Sequence, residues 1–344
     1  SYCIYHKEMP KVVYSTSERV KNELRFILNK GVTKIRFVDA NFTSDIIRKK
    51  DDSQAKDIIR YLIENKYRTK LFFELIPGFI DEEFAELLGE FNSIDDFNEI
   101  TVGVGVQTIN LEILKTVRRR IKKEKFDITF DLLQKNNVFC KIDLIIGLPG
   151  EKLDSIATTQ EYMINKLENG SSHLLCCHVM RGLPGTELMD IAKEHDMVFS
   201  SENEPHELIM SPDLPREDML TALRRTAVIF RLVNHTGWAD REMITERKSS
   251  DLSVREAFFS AKNRSGISSI ELIDHLIDGF HKRLENTASD FAKEDFPRAE
   301  TWWWVRSPIE ISSKWLVEYL NDVPSSTEAS VAIKAEIVLD NVQP

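Results

Sequence analysis

FCKIDLIIGLPGE, residues 139–151, is an apolar run that ends in a Gly-Leu-Pro-Gly-Glu turn. A short apolar run bounded by a turn reads as a strand covered on both faces, as in a parallel sheet wrapped by helices. Runs of the same type begin at Ile35 (IRFVD), Lys70 (KLFFEL), Glu99 (EITVGVGV) and His173 (HLLCCHVM). Their starts recur every ~30 to 40 residues, the length of a βα unit. Helix-like segments fill the gaps. STSERVKNELRFILNKG opens with Ser15 and Glu18 in capping-box spacing, carries Val20, Leu24, Ile27 and Leu28 on one side and stops at Gly31. A polar helix from about Asp51 to Glu64, then IDEEFAELLGEF, LEILKTVRRR, KFDITFDLLQKN and LDSIATTQEYMINKLE, precede the later runs. Five such units favour a barrel-type α/β domain. A doubly wound open sheet is the alternative, but no G-x-G-x-x-G follows the first strand.

Beyond about residue 200 the pattern becomes mainly helical. PREDMLTALRRTAVIFRLVNHTG places Pro215 early, Leu220, Leu223, Ala227 and Phe230 along one side and Gly237 at its end. Ser268 with Glu271 and Ser307 with Glu310 open two further helices as capping boxes. ASVAIKAEIVL near the end alternates as a late strand. The expected division is a barrel over residues 1–200 and a mainly helical domain over 201–344.

The chain has 344 residues, 42% hydrophobic and 30% charged, with 46 Lys and Arg against 56 Asp and Glu. That is a globular composition, and its net charge of −10 argues against a broad nucleic-acid or anionic-membrane footprint. No run approaches the ~18 apolar residues of a membrane span, and the first residues lack a signal-peptide pattern. The expectation is a cytoplasmic protein. Four cysteines, Cys3, Cys140, Cys176 and Cys177, are too few and too unevenly spaced for a disulfide scaffold. The chain begins with Ser1, and Tyr2 and Cys3 follow at once, the expectation of an incomplete N-terminus.

In a barrel, functional groups come from the C-terminal ends of strands. Those ends carry Asp39 and Asn41, Glu74, Gln107, Asp143, the turn from Gly147 to Glu151, and MRGLPGTEL. An acid or amide just after a strand is as often a helix N-cap, and LPGE can be a plain Pro-Gly turn. Arg118, Arg119 and Arg120 with Lys122, Lys123 and Lys125 read as a solvated face. Cys176, Cys177 and His178 alternate across a strand and so do not chelate one metal together; packing is their expected role, and His173 is expected in the core or at its rim.

Tyr2-Cys3, the VYSTSERVKNEL helix, FVDANFTSD, GVGVQ, a downstream arginine and DLIIGLPGE, in that order over residues 1–195, resemble a radical S-adenosylmethionine enzyme. In that family a C-x-x-x-C-x-x-C loop after the first strand holds a [4Fe-4S] cluster, three thiolates leaving one iron open for the cofactor's amino and carboxylate groups. Reduction of S-adenosylmethionine by the cluster then yields methionine and a 5′-deoxyadenosyl radical. The resemblance makes Cys3 the third cluster cysteine and Tyr2 the aromatic before it. Asp39 and Asn41 stand where the family has a Gly-Gly-Glu-like motif near the methionine amino group, a departure from the common form. Glu74 matches a cofactor-contacting acid, Gln107 the glutamine of a G-V-Q segment and Arg119 a carboxylate-contacting arginine. Asp143 matches an acid near the ribose, where a carboxylate can accept from both hydroxyls; Ile145 and Gly147 belong to the strand end beside the adenine. The implied fold is a partial (βα)6-type, TIM-like barrel lacking its first strand and two cluster cysteines, plus a mainly helical C-terminal extension. Cys140, Cys176 and Cys177 do not reproduce the loop spacing.

GVGVQTINLEILKTVRR and DLIIGLPGE resemble the subset shared by oxygen-independent coproporphyrinogen oxidases, methylthiotransferases and cobalamin-dependent radical enzymes. The helical extension with Trp302, Trp303 and Trp304 looks most like the cobalamin type, whose cobalamin domain precedes the barrel. The implied activity is hydrogen abstraction or radical methylation of an unreactive carbon in a small-molecule or peptide substrate, with flavodoxin or ferredoxin as electron donor. Two other readings stand beside it: a truncated, non-catalytic binding module, supported by the missing cysteines, and a tRNA methylthiotransferase-like enzyme, which would need an RNA-binding appendage. The tryptophan triplet reads first as packing and second as a substrate entrance.

Overall fold

A computed structural model describes residues 15–49, 53–119, 121–168, 173–200, 206–233, 249–286 and 313–324. The chain divides into two compact units, one of residues 1–155 and 170–216, the other of 156–169 and 217–344.

The first unit is built on a five-stranded parallel sheet in the order of the chain: β1 (Lys34–Arg36), β2 (Lys70–Leu75), β3 (Glu99–Gln107), β4 (Phe139–Ile146) and β5 (Leu174–Val179). Each strand starts within one residue of the apolar run that foretold it. Helix α1 (Ser17–Leu28) precedes β1, and α2 (Ile46–Lys49), α3 (Gln54–Glu64), α4 (Glu82–Ser93), α5 (Leu111–Thr116) and α6 (Lys123–Lys135) lie between the strands. Parallel neighbours joined by helices in strict sequence order are the arrangement of a TIM-like barrel, here a partial one. Ile100, Val102, Val104 and Val106 on β3 and Cys140, Ile142, Leu144 and Ile146 on β4 are buried on one face. The strand period of two sends the residues between them to the other face. There stand Phe72 and Glu74, Gly103 and Gly105, Lys141 and Asp143, Cys176 and His178, matched by register: Glu74 with Gly103, Gly103 with Lys141, Gly105 with Asp143, Asp143 with Cys176. One face is core, and the other carries charge.

Local chemistry departs from the expected caps at one point. Thr16, not Ser15, caps α1, its hydroxyl accepting from Arg19 N–H at 3.3 Å. The shift places Glu18 in the first turn, where its charge complements the helix dipole. Ser53 caps α3 and also donates to Asp45 at 2.9 Å. The sheet is followed by β6 (Arg181–Gly182), α8 (Glu187–Glu194), β7 (Val198–Phe199) and β8 (His206–Met210), and β8 pairs antiparallel with both β6 and β7. β6 and β7, of two residues each, are too short to leave a signal in the periodicity.

The second unit is helical among its described residues. It takes most of α7 (Leu153–Glu168), with α9 (Arg216–Val233), α10 (Ser249–Ser265), α11 (Ser269–Asn286) and α12 (Ser313–Asp322). On α9 the buried residues are Met219, Ala222, Thr226, Ile229, Phe230 and Leu232. The expected stripe through Leu220, Leu223 and Ala227 is therefore rotated by about one residue, because Thr226 turns inward to accept from Gln160 at 2.9 Å. Arg225 forms a bidentate pair with Asp274 at 2.8 and 2.7 Å. Ser268 caps α11 as expected, accepting from Glu271 N–H at 3.1 Å. Arg264 donates to the carbonyls of Leu320 at 2.8 Å and Val323 at 3.1 Å, closing the end of α12. Gly237, the Ser307–Glu310 box, Trp302 to Trp304 and the late strand lie outside the described residues.

Candidate active site

The polar residues foreseen at the strand ends meet in two adjoining groups on the charged face of the sheet. In the first, Asn41 accepts through Oδ1 from the Thr43 hydroxyl at 3.0 Å and from Ile76 N–H at 3.2 Å. It ties the loop after β1 to the end of β2, which makes it a structural brace whatever else it touches. Phe42 N–H donates to the Glu74 carbonyl at 2.9 Å. The Glu74 carboxylate pairs with Arg36 at 3.4 Å, and the Arg36 guanidinium lies over Phe72. Asp39 is exposed in the loop between β1 and Asn41. A Cβ on Gly103 would stand 3.1 Å from Glu74 Cγ, so glycine there lets the Glu74 side chain lie across β3.

The second group surrounds the ends of β3 and β4. Gln107 has φ +68°, and Thr108 N–H donates to Val106 O at 2.9 Å. A two-residue closure around a positive φ is the rare, strained γ-turn, and strain of this kind collects at functional sites. The strand register shifts here between Gly105 and Gln107. Arg119 donates through Nη2 to the Gly105 carbonyl. A Cβ on Gly105 would come within 2.6 Å of Gln107 Nε2 and 3.6 Å of Arg119 Nη2. Only glycine lets the amide and the guanidinium share the space in front of β3. The basic run splits accordingly: Arg119 turns to the sheet, while Arg118 is exposed and pairs with Glu187 at 2.8 Å. Lys122, Lys123 and Lys125 are exposed, and Arg120 lies outside the described residues.

Beside Gly105, Asp143 Oδ1 accepts from Lys141 Nζ and from His178 Nε2, the latter at 3.1 Å. Burial pushes the Asp143 carboxyl up, but the His178 hydrogen bond and the Lys141 ammonium outweigh it and hold the group below the usual carboxylate range. The Lys141 side chain is only 5% exposed and that of His178 is 46% exposed. His178, expected to pack, instead has a half-exposed side chain that bonds Asp143; Lys141 was missed in the sequence, although Lys141-x-Asp143 within an apolar run was a legible signal, because two charged residues two apart share one face of a strand.

The turn after β4 has its own brace. Leu148, Pro149, Gly150 and Glu151 close a β-turn through Glu151 N–H to Leu148 O at 2.9 Å, with φ +81° at Gly150. Pro in the second place and a positive-φ Gly in the third are the type II pattern. Glu151 is 1% exposed, and its Oε2 accepts from Gly147 N–H at 2.9 Å and Leu148 N–H at 3.2 Å, with the Thr108 hydroxyl as a further donor. Burial pushes its carboxyl up to about 7 against the pull of those three donors. Glu151 thus pins the Gly147 strand end to the residue after Gln107. Ile145 is half-buried on the same face as Asp143.

His173 is a core histidine, accepting from Cys140 N–H at 3.2 Å through Nδ1 and packing on Phe130. Cys140, Cys176 and Cys177 are buried free thiols, and burial raises the Cys140 thiol. Cys176 and Cys177 stand on opposite faces of β5, as alternation requires. Among the described residues no three His, Cys, Asp or Glu side chains are grouped to hold a metal ion. Tyr2 and Cys3 lie outside the described residues. No helix among the described residues is long and apolar enough to cross a membrane.

Residues 1–163 match the sequence model of the Radical SAM superfamily. The ribosomal protein uS12 methylthiotransferase RimO of Petrotoga mobilis (strain DSM 10674 / SJ95) is 23% identical over 148 residues, 42% of this chain and 33% of that protein. The cobalamin-dependent S-adenosylmethionine radical enzyme OxsB, solved with aqua-cobalamin, superposes with a TM-score of 0.51 at 12% identity, over 89% of this chain and 51% of that one. The radical S-adenosylmethionine methyltransferase TsrM of Kitasatospora setae, solved with cobalamin and a [4Fe-4S] cluster, gives 0.44 at 17% identity over 55% and 37%. The likeness to OxsB is one of fold, a partial TIM-like barrel with a helical extension. The chain spans a third of the length of the methylthiotransferase and half that of OxsB.

Proposed function

We propose, on the premise that residues 1–163 make this chain a member of the radical SAM superfamily, that it is an enzyme which functionalises an unreactive carbon by hydrogen abstraction or radical methylation. The observation that carries this reading is the continuous polar face in which Glu74, Gln107, Arg119 and Asp143 converge over two glycines. Its chemistry suits S-adenosylmethionine, which offers a carboxylate, an ammonium, a ribose diol and an adenine. When bound, that cofactor supplies a 5′-deoxyadenosyl radical. Arg119 is the guanidinium for the carboxylate, and Glu74 with Asp39 and Asn41 the acceptor side for the ammonium. Asp143 takes the ribose, and the Ile145–Gly147 strand end, held by Glu151, backs the adenine. Gln107 places its own carboxamide between these groups.

The described residues do not supply the three-cysteine cluster site. Ligation is assigned to Cys3, with Tyr2 beside it, while Cys140, Cys176 and Cys177 do not reproduce the loop spacing, so no step is built on the cluster here. Domains 1–200 as the cofactor barrel and 201–344 as a mainly helical domain, association with cobalamin, a small-molecule or peptide substrate, a flavodoxin or ferredoxin electron donor and a cytoplasmic location complete the proposal. The match to RimO covers a third of that protein at 23% identity, and its sulfur insertion is not carried over to this chain. The test is anaerobic reconstitution of the full-length protein with iron and sulfide, followed by reductant and S-adenosylmethionine. Broad visible cluster absorbance and release of 5′-deoxyadenosine are expected, and Cys3→Ser removes both. A protein that takes up no cluster refutes the reading and favours a non-catalytic binding module.

A further inference from the structure

Asp143 Oδ1 already accepts from Lys141 Nζ and His178 Nε2. A carboxylate oxygen has about two lone-pair sites, so Oδ2 is the oxygen with capacity left for a ligand. Oδ2 has two lone pairs of its own, so a ribose diol either shares that one oxygen or divides between it and a second acceptor on the next strand. His178 stands on the neighbouring strand, in register with Ile145, one step nearer the strand ends than Asp143. A carboxylate below its usual ionisation range does not donate, so the proton of the His178 contact is on Nε2. In the neutral ring Nδ1 is then an acceptor, and the side chain is 46% exposed. On the other side of Asp143, Gly105 has no side chain to fill the face, and the Arg119 guanidinium on its carbonyl is the adjoining charge.

Resting on the reading that a nucleoside cofactor lies on this face, the geometry points to His178 as a second ribose-binding residue. One ribose hydroxyl donates to Asp143 Oδ2 and the other to His178 Nδ1, with Lys141 holding the carboxylate from below. His178→Gln separates this role from a structural one. The glutamine amide nitrogen occupies the place of Nε2 and keeps the Asp143 contact, while Nδ1 is lost.

The experiment is calorimetric titration of the reconstituted full-length protein and its His178→Gln form with S-adenosylhomocysteine, and with its 2′-deoxy and 3′-deoxy forms. The substitution is expected to weaken S-adenosylhomocysteine roughly fivefold to tenfold, the worth of one hydrogen bond. It should leave unchanged whichever deoxy form lacks the hydroxyl that His178 receives. Equal weakening of all three ligands, or no weakening of any, overturns the assignment. Failure of the unsubstituted protein to bind S-adenosylhomocysteine overturns the cofactor reading as well, so the two failures are distinct. Nitrogen NMR of the imidazole gives a reading free of ligand affinity and of folding in the variant. A proton on Nε2, with the Nδ1 resonance moving on addition of S-adenosylhomocysteine, is the expected result; a proton on Nδ1 in the neutral ring refutes it.

Discussion

Glu151→Gln should abolish a specific part of the protein's pH dependence. Glu151 ionises near 4.5 in an unfolded chain and at about 7 in the fold, where burial opposes its charge. Between those values the folded state binds more protons than the unfolded one, so stability falls as pH rises. The contribution is fully present below about pH 4.5 and lost through pH 7; a shift from 4.5 to about 7 corresponds to about 3 kcal/mol. Glutamine has nearly the same shape. Its carbonyl oxygen can accept from Gly147 and Leu148, and its amide can donate to the Thr108 hydroxyl, which then turns to accept. The variant is therefore expected to match the parent at pH 5 and to exceed it by up to about 3 kcal/mol at pH 8. Urea unfolding followed by circular dichroism at pH 5, 6, 7 and 8 reads the difference directly. Parallel curves for the two proteins across that range would show that the buried carboxylate does not titrate there and would refute the reasoning. Glu151→Ala serves as control: it strands two backbone N–H groups and should lose about 2–5 kcal/mol at pH 5, with the deficit narrowing toward pH 8 as the parent loses the contribution of its own carboxyl.

Gly105→Ala places a methyl 2.6 Å from Gln107 Nε2, and should lose about 1–3 kcal/mol in thermal unfolding together with most affinity for S-adenosylhomocysteine. Gln107→Gly relieves the positive φ, so the melting temperature should hold or rise while affinity for the same ligand falls; a parallel loss of both would make Gln107 a structural residue only. Lys141→Met removes a buried partner of Asp143 and should cost about 3 kcal/mol at neutral pH, the deficit narrowing in acid as Asp143 takes up a proton. A deficit independent of pH in urea titrations would count against that account.

The five parallel strands could be read from the sequence because each is a short apolar run between turn residues, and a fully covered strand leaves that trace wherever it is placed. The same alternation argument separated Cys176 from Cys177 and put His173 in the core, and both hold in the fold. The α9 stripe was misplaced because a side chain, Thr226, found a buried partner, and hydrophobicity alone does not register hydrogen bonds. His178 was assigned to packing for a related reason: it sits in an apolar run, and nothing in that run says that Asp143 lies opposite it on the neighbouring strand. Lys141, two residues from Asp143 in one run, carried a signal that was passed over.

By itself the sequence determined the five parallel strands, which polar residues end them, and the Gly-Leu-Pro-Gly turn that follows β4. These are consequences of local pattern: period-two burial, turn chemistry and positive φ act over a few residues. Tertiary structure decided the pairings: Arg119 on Gly105, Glu74 across Gly103, Lys141 and His178 on one oxygen of Asp143, and Glu151 under the turn that follows β4. Those depend on register between parallel strands, where a slip of one residue turns every side chain to the opposite face. Which atoms of a strand end remain available to a ligand is set by neighbours some 30 residues away in the chain, as Asp143 and His178 are.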